Sequence, residues 1–205
     1  MDTFKNLKKV VINTLKMLKE RGYNTKPYEE HLTDEKLVEL YYKENFELII
    51  VPLKSFRKFI NEIHVRFSVH CKPAIDDIKS IVTDLISNED GNIEENEDKL
   101  PEILIIFSQP VKNEKFIHKN VQILNYSDLL FNKIEHSFVP KHELIKNPKK
   151  ICELIQYYKV TSKWRFPIMY KTDPISKYYN AKKGDVFKIT RVSPTGESTV
   201  YRCVL

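Results

Sequence analysis

Glycine is nearly missing from this chain of 205 residues, with four in all, at positions 22, 91, 184 and 196. Neither a P-loop nor a dinucleotide-binding fingerprint can be written with glycines so placed, which excludes the nucleotide-cofactor enzymes built on them. No serine stands in a G-x-S-x-G context, so the elbow-type hydrolase is excluded as well. Cysteine is scarce: Cys71, Cys152 and Cys203 are an odd set without C-x-x-C spacing. That pattern argues for free thiols in a reducing compartment over a disulfide framework or a zinc ribbon. Long apolar runs are lacking too, the longest strongly apolar ones being Leu48–Val51 and Ile103–Phe107. The opening MDTFKNLKK has charges where a secretory signal needs apolar residues, so neither secretion nor a membrane span is expected and the chain reads as intracellular.

What is present is ordinary in amount and uneven in distribution. Hydrophobic residues make up 41% and charged residues 30%, with eleven Tyr and eleven Phe to fill packed cores, the profile of a soluble globular protein. The length suits two domains. Residues 136–205 carry 14 Lys/Arg against 5 Asp/Glu, whereas residues 1–135 carry 20 against 23. A basic C-terminal part suits nucleic acid or an acidic protein surface, and equally a merely soluble lysine-rich surface.

Periodicity divides the first part into an α/β pattern. Phe4, Leu7, Val11, Leu15 and Leu18 form one stripe of a helix that Gly22 should stop, and a second helix is expected from Asp34 to Lys43. Phe46–Val51, ended by Pro52, reads as a buried strand, and Ile63, Val65, Phe67 and Val69 alternate with polar residues as a half-buried one. The period then switches to Ile75, Ile78, Val82 and Leu85, a helix; "EILIIF" from 102 and "VQIL" from 121 read as fully buried strands. Strand, helix, strand, connection, strand implies parallel pairing in a mixed, largely parallel sheet. The acidic stretch from 88 to 99 reads as a solvated loop, its spacing unlike a calcium-binding loop. A composition shift near His136–Pro140 sets the expected boundary between domains 1–135 and 136–205.

The second part reads as a small α+β module. Asn147-Pro148 is a cap with proline at the first helical position, starting a helix expected to bury Ile151, Leu154, Ile155 and Tyr158. Asp173-Pro174 repeats the device for a shorter helix through Tyr178. Lys183-Gly184-Asp185 turns into a strand from Val186 to Val192, and Ser198–Leu205 returns as its hairpin partner. Gly184 is expected at positive φ there.

Chemistry finds little purchase. Cys152 with His136 and His142 can be drawn as a triad or metal site, but Cys152 falls close to the apolar side of its helix and reads as a core residue. Asp76, Asp77 and Lys79 supply the D-x-K pattern of metal-dependent nucleases, yet at a helix start, where Asp76 and Asp77 already favour the helix dipole. Lys112 and Lys115, in a loop entered by Pro110 after the 102–107 strand, could contact phosphates without reading sequence. No catalytic residue, cofactor, metal or small-molecule substrate is expected.

Two segments carry a resemblance. "FVPKHELI" (138–145) and "DPISKYYNAKKGDVFKITRVSPTGESTVYR" (173–202) resemble motifs of the fifth subunit of the eukaryotic nuclear RNA polymerases, whose C-terminal domain alone corresponds to the archaeal counterpart. "LKMLKERGY" and "IDDIKSIVTDLI" are similar to that family's N-terminal and central helices, so the likeness covers the whole chain. Asn180 stands where the family has glycine, and Arg191–Gly196 is rearranged in the last hairpin. The composition, rich in Lys, Asn and Ile, suits a DNA-virus homologue or an AT-rich eukaryote. The resemblance implies a non-catalytic polymerase subunit, with an N-terminal jaw domain at downstream duplex DNA and a C-terminal assembly domain on the largest subunit and neighbouring small subunits. Assembly contacts are implied at Val139, Pro140 and His142 in the first motif, and at Asp173, Pro174, Lys183, Gly184, Lys188, Arg191, Tyr201 and Arg202 in the second. Pro110, Lys112 and Lys115 are implied near downstream DNA, contacted non-specifically. The location implied is the nucleus of a cell, or a cytoplasmic viral factory or virion. The rival readings are a metal-dependent nuclease and a free-standing DNA-binding transcription factor.

Overall fold

A computed structural model describes residues 2–31, 33–43, 45–53, 62–68, 102–109, 120–194 and 196–205. The chain divides into two compact units, Met1–Phe131 and Asn132–Leu205. Each is mixed α/β with a four-stranded sheet of its own.

In the first unit, helix α1 (Asp2–Arg21) buries Leu7, Val10, Val11, Leu15, Met17 and Leu18, the stripe that spacings of three and four place on one side. Gly22, at φ 99°, ends it. Two shorter helices follow, α2 (Lys26–His31) and α3 (Asp34–Tyr42). Strands β1 (Asn45–Ile50), β2 (Ile63–Ser68), β3 (Glu102–Phe107) and β4 (Val121–Asn125) lie side by side in that order. β2, β3 and β4 run parallel, with Val65 opposite Leu104 and Ile105 opposite Ile123, and β1 is antiparallel to β2. Ile103 to Phe107 are all buried, as an interior parallel strand requires. The short helix α4 (Tyr126–Leu129) closes the unit.

β1 is not the buried strand its composition suggests. Phe46, Leu48 and Ile50 are buried, but Ile49 is 50% exposed; an edge strand paired only to β2 covers one side and leaves the other to water. β4, the opposite edge, likewise leaves Val121 half-buried. The expected helix from Ile75 to Leu85, the 88–99 stretch and the Asp76, Asp77 and Lys79 group lie outside the described residues.

The second unit is built on strands in the order β5 (Lys141–Ile145), β7 (Val186–Ser193), β8 (Gly196–Val204), β6 (Ile168–Met169). β5 and β8 are antiparallel to β7, while β6 runs parallel to β8. Both capped helices form as their sequences dictate. Asn147 accepts from Lys149 N at 2.9 Å to start α5 (Pro148–Tyr157), and Asp173 Oδ1 accepts from Ile175 N at 2.8 Å to start α6 (Pro174–Tyr178). Met169, Ile175, Ala181, Phe187, Ile189 and Val204 form the core, with Val139, Leu144 and Tyr179 packed against it.

α5 departs from expectation. None of its residues is buried: Ile151, Leu154 and Ile155 are half-covered, and Tyr158, which caps its end, is 44% exposed. Tyr158 instead makes edge contacts with Phe166 and Tyr201, at 6.1 and 5.5 Å between ring centres. Cys152 is exposed, not a core residue, because the apolar side of this helix is only half-covered and Cys152 lies beyond the covered part. Cys203 is buried, and burial pushes its pKa up.

Candidate docking cleft

Six residues from four separate segments of the chain meet on the surface of the second unit. Val139 and Pro140 lead into β5, His142 sits on β5, Asp173 caps α6, Arg191 is on β7 and Arg202 on β8, and together they border one open cleft of about 260 Å³. Phe138, Met169, Ile175 and Ile189 complete its lining. The sheet explains the meeting. His142 pairs with Ile189 and Phe187 with Arg202, so strand alternation brings β5, β7 and β8 side chains to the face that α6 covers.

Hydrogen bonds fix the polar members. His142 Nδ1–H donates to Pro140 O at 2.6 Å, which leaves Nε2 as its second nitrogen. Burial holds the His142 pKa below its ordinary 6.5, and the charges of Arg191 and Arg202 push the same way, against the raising effects of the Pro140 bond and Asp173. The imidazole is therefore neutral at physiological pH. Tyr179 donates its hydroxyl to His142 O at 3.1 Å, tying β5 to the end of α6. Arg202 Nη1 donates to Ile168 O at a long 3.5 Å, while its Nε–H is buried without an acceptor. The groups can hold and orient an anionic or hydrogen-bonding partner. They have no arrangement of nucleophile, base and oxyanion donors.

The remaining residues with implied contacts lie elsewhere on the unit. Lys188 and Tyr201 face each other across the β7–β8 ladder, one position out of step with Phe187 and Arg202 and so on the opposite side of the sheet. Pro174 is the first residue of α6. Lys183 and Gly184 form the turn before β7, where Gly184 has φ 91° and its carbonyl accepts from Lys163 Nζ at 2.9 Å. Asn180, in the place of the family's glycine, is left-handed at φ 48°. Pro110, Lys112 and Lys115 lie outside the described residues.

The family described as "RNA polymerase Rpb5, C-terminal domain" matches residues 131–204. The DNA-directed RNA polymerases I, II, and III subunit rpabc1 of Dictyostelium discoideum is 30% identical over 212 residues, covering 100% of each chain. The chain belongs to the RNA polymerase subunit 5 family. Subunit 5B of DNA-directed RNA polymerases IV and V from Arabidopsis thaliana is 25% identical over 198 residues, 93% of this chain and 86% of its own. The DNA-directed RNA polymerase subunit Rpo5 of Methanococcus maripaludis strain C7 is 44% identical over 71 residues, 34% of this chain and 88% of its own. A third of this chain is thus enough to match the archaeal protein almost whole.

The apolar lining at Phe138, Ile175 and Ile189, inside the two motif segments, and at Met169, between them, escaped sequence reasoning. Alternation offered one signal: Phe187, Ile189 and Arg191 are successive residues of one side of β7. Nothing local marks Met169, which reaches the cleft from a two-residue strand.

Proposed function

We propose that this chain is a non-catalytic subunit of a multisubunit DNA-dependent RNA polymerase, docked on the largest subunit through its second unit. The observation that carries the reading is the cleft, where Val139, Pro140, His142, Asp173, Arg191 and Arg202 come together from four separate segments. An open, partly apolar recess with two arginines suits protein recognition better than small-molecule catalysis. The full-length likeness to a polymerase subunit of Dictyostelium discoideum supports the same reading. Purification of the tagged chain from its native source tests it: the large polymerase subunits should accompany the tag through stringent washing, and their absence refutes docking.

The first unit, in this proposal, is the jaw at downstream DNA, with Lys112 and Lys115 approaching phosphates as point charges. Replacing both by Ala should leave assembly intact. It should flatten the salt dependence of the complex's hold on downstream duplex by up to about two units of slope. Titrations of polymerase with and without the double change, across salt concentrations, decide this. Identical slopes remove these lysines from the DNA path, and loss of this chain from the complex makes Lys112 and Lys115 assembly contacts.

A further inference from the structure

The cleft limits what chemistry can enter it. Arg191 lies on the same side of β7 as Phe187 and Ile189, both buried, and Arg202 pairs directly with Phe187. Arg191 is itself exposed at the end of β7 and Arg202 is half-buried, so both guanidiniums stand at the margin of that apolar packing. Among the described residues neither forms an ion pair within 4.0 Å. The one carboxylate of the cleft, Asp173, is occupied as the helix cap. With Nη1 of Arg202 turned to Ile168 O and its Nε–H buried, Nη2 is the donor that this guanidinium has left for a partner. A carboxylate is the acceptor that makes the strongest hydrogen bonds to a guanidinium donor.

We propose that the cleft receives one Asp or Glu side chain of a partner polypeptide, gripped by Nη2 of Arg202 and by Arg191, with an apolar neighbour of that residue against Phe138 and Val139. The inference rests on the docking reading above. Charge favours one carboxylate: two guanidiniums and Asp173, with His142 neutral, leave one positive charge. A phosphodiester backbone is the poorer fit. It brings a row of charges past Asp173 and calls for an open array of cations, whereas six of the ten lining residues here are apolar. Phe138, 89% exposed beside this recess, supplies the apolar contact a polypeptide uses.

The test uses the tagged full chain in its polymerase. Arg202→Gln and Arg191→Gln should each weaken retention of the chain about tenfold to a hundredfold, as expected for a lost hydrogen-bonded charge. Arg202→Lys, which keeps charge without the fork, should fall between Gln and wild type. Thermal unfolding of each free variant must match wild type, so that weaker retention reports contact. Carbodiimide treatment of complexes carrying Arg191→Lys or Arg202→Lys should join the new amine to an Asp or Glu of another polymerase chain, identified by mass spectrometry. Unchanged retention in both Gln variants overturns the proposal while leaving docking intact. Joining only to this chain's own carboxylates also overturns it. Loss of duplex binding by the free chain with retention unchanged replaces the carboxylate by a phosphate. If wild type retains no large polymerase chain, the docking reading itself falls.

Discussion

Gly184 meets two separate demands. Its φ of 91° is one that side chains rarely adopt, and a Cβ added there would stand 2.6 Å from Lys163 Nζ. The ammonium group can swing away, but only by giving up its bond to Gly184 O. Gly184→Ala should therefore cost about 1–3 kcal/mol, measured by urea unfolding. Adding Lys163→Met removes the collision and leaves the backbone strain, so the loss should persist against a Lys163→Met background. His142 makes a prediction in pH. Its folded pKa is held below the ordinary 6.5, so the unfolded chain takes up the proton first as pH falls. Stability from this group is complete above about pH 6.5 and is lost on acidification through the folded value. Between pH 7.5 and 5.0 the Tm of wild type should fall more steeply than that of His142→Gln, and parallel curves would contradict the assignment.

At the scale of elements, the contrast between α5 and β7 separates pattern from packing. Ile189 is buried in the core, whereas Leu154 is half-covered on a helix with no buried residue. Ile189→Ala should cost about 2–5 kcal/mol in the free chain, and Leu154→Ala less than about 1 kcal/mol. Denaturant unfolding of the two variants decides; equal losses would mean that α5 is packed as its sequence suggests. The capped starts at Asn147-Pro148 and Asp173-Pro174 were legible because they depend on three or four neighbouring residues. So was β3, whose uninterrupted apolar run fits only an interior strand. β5 was not, since "KHELI" has neither strict alternation nor β-branched enrichment and becomes a strand only by pairing with β7. α5 shows the converse: its spacing was read correctly as a helix, but whether a partner element covers it is a tertiary fact. The polar members of the cleft could be named from motifs, whereas their meeting depends on the β5–β7–β8 register, which no local signal states.

For the whole molecule, the second unit has what independent folding requires, namely its own core, a four-stranded sheet and two capped helices. At about 75 residues it is near the lower limit for an unaided core. We propose that residues 132–205 fold alone: the isolated fragment should unfold cooperatively in denaturant, with dispersed amide resonances before the transition. A gradual, non-cooperative loss of structure would mean that folding is coupled to assembly. The strand order also governs how this unit comes into being. β8 is the last of its four strands in the chain, yet it lies inside the sheet, between β7 and β6. A growing polypeptide released from a ribosome therefore presents β7 paired on one side only and β6 with no partner in this sheet, until Gly196–Val204 emerge. Such unsatisfied strands are the form of nascent chain that aggregates or recruits chaperones. A stop codon or frameshift removing those nine residues takes out the middle of the sheet and leaves a product for quality control to destroy.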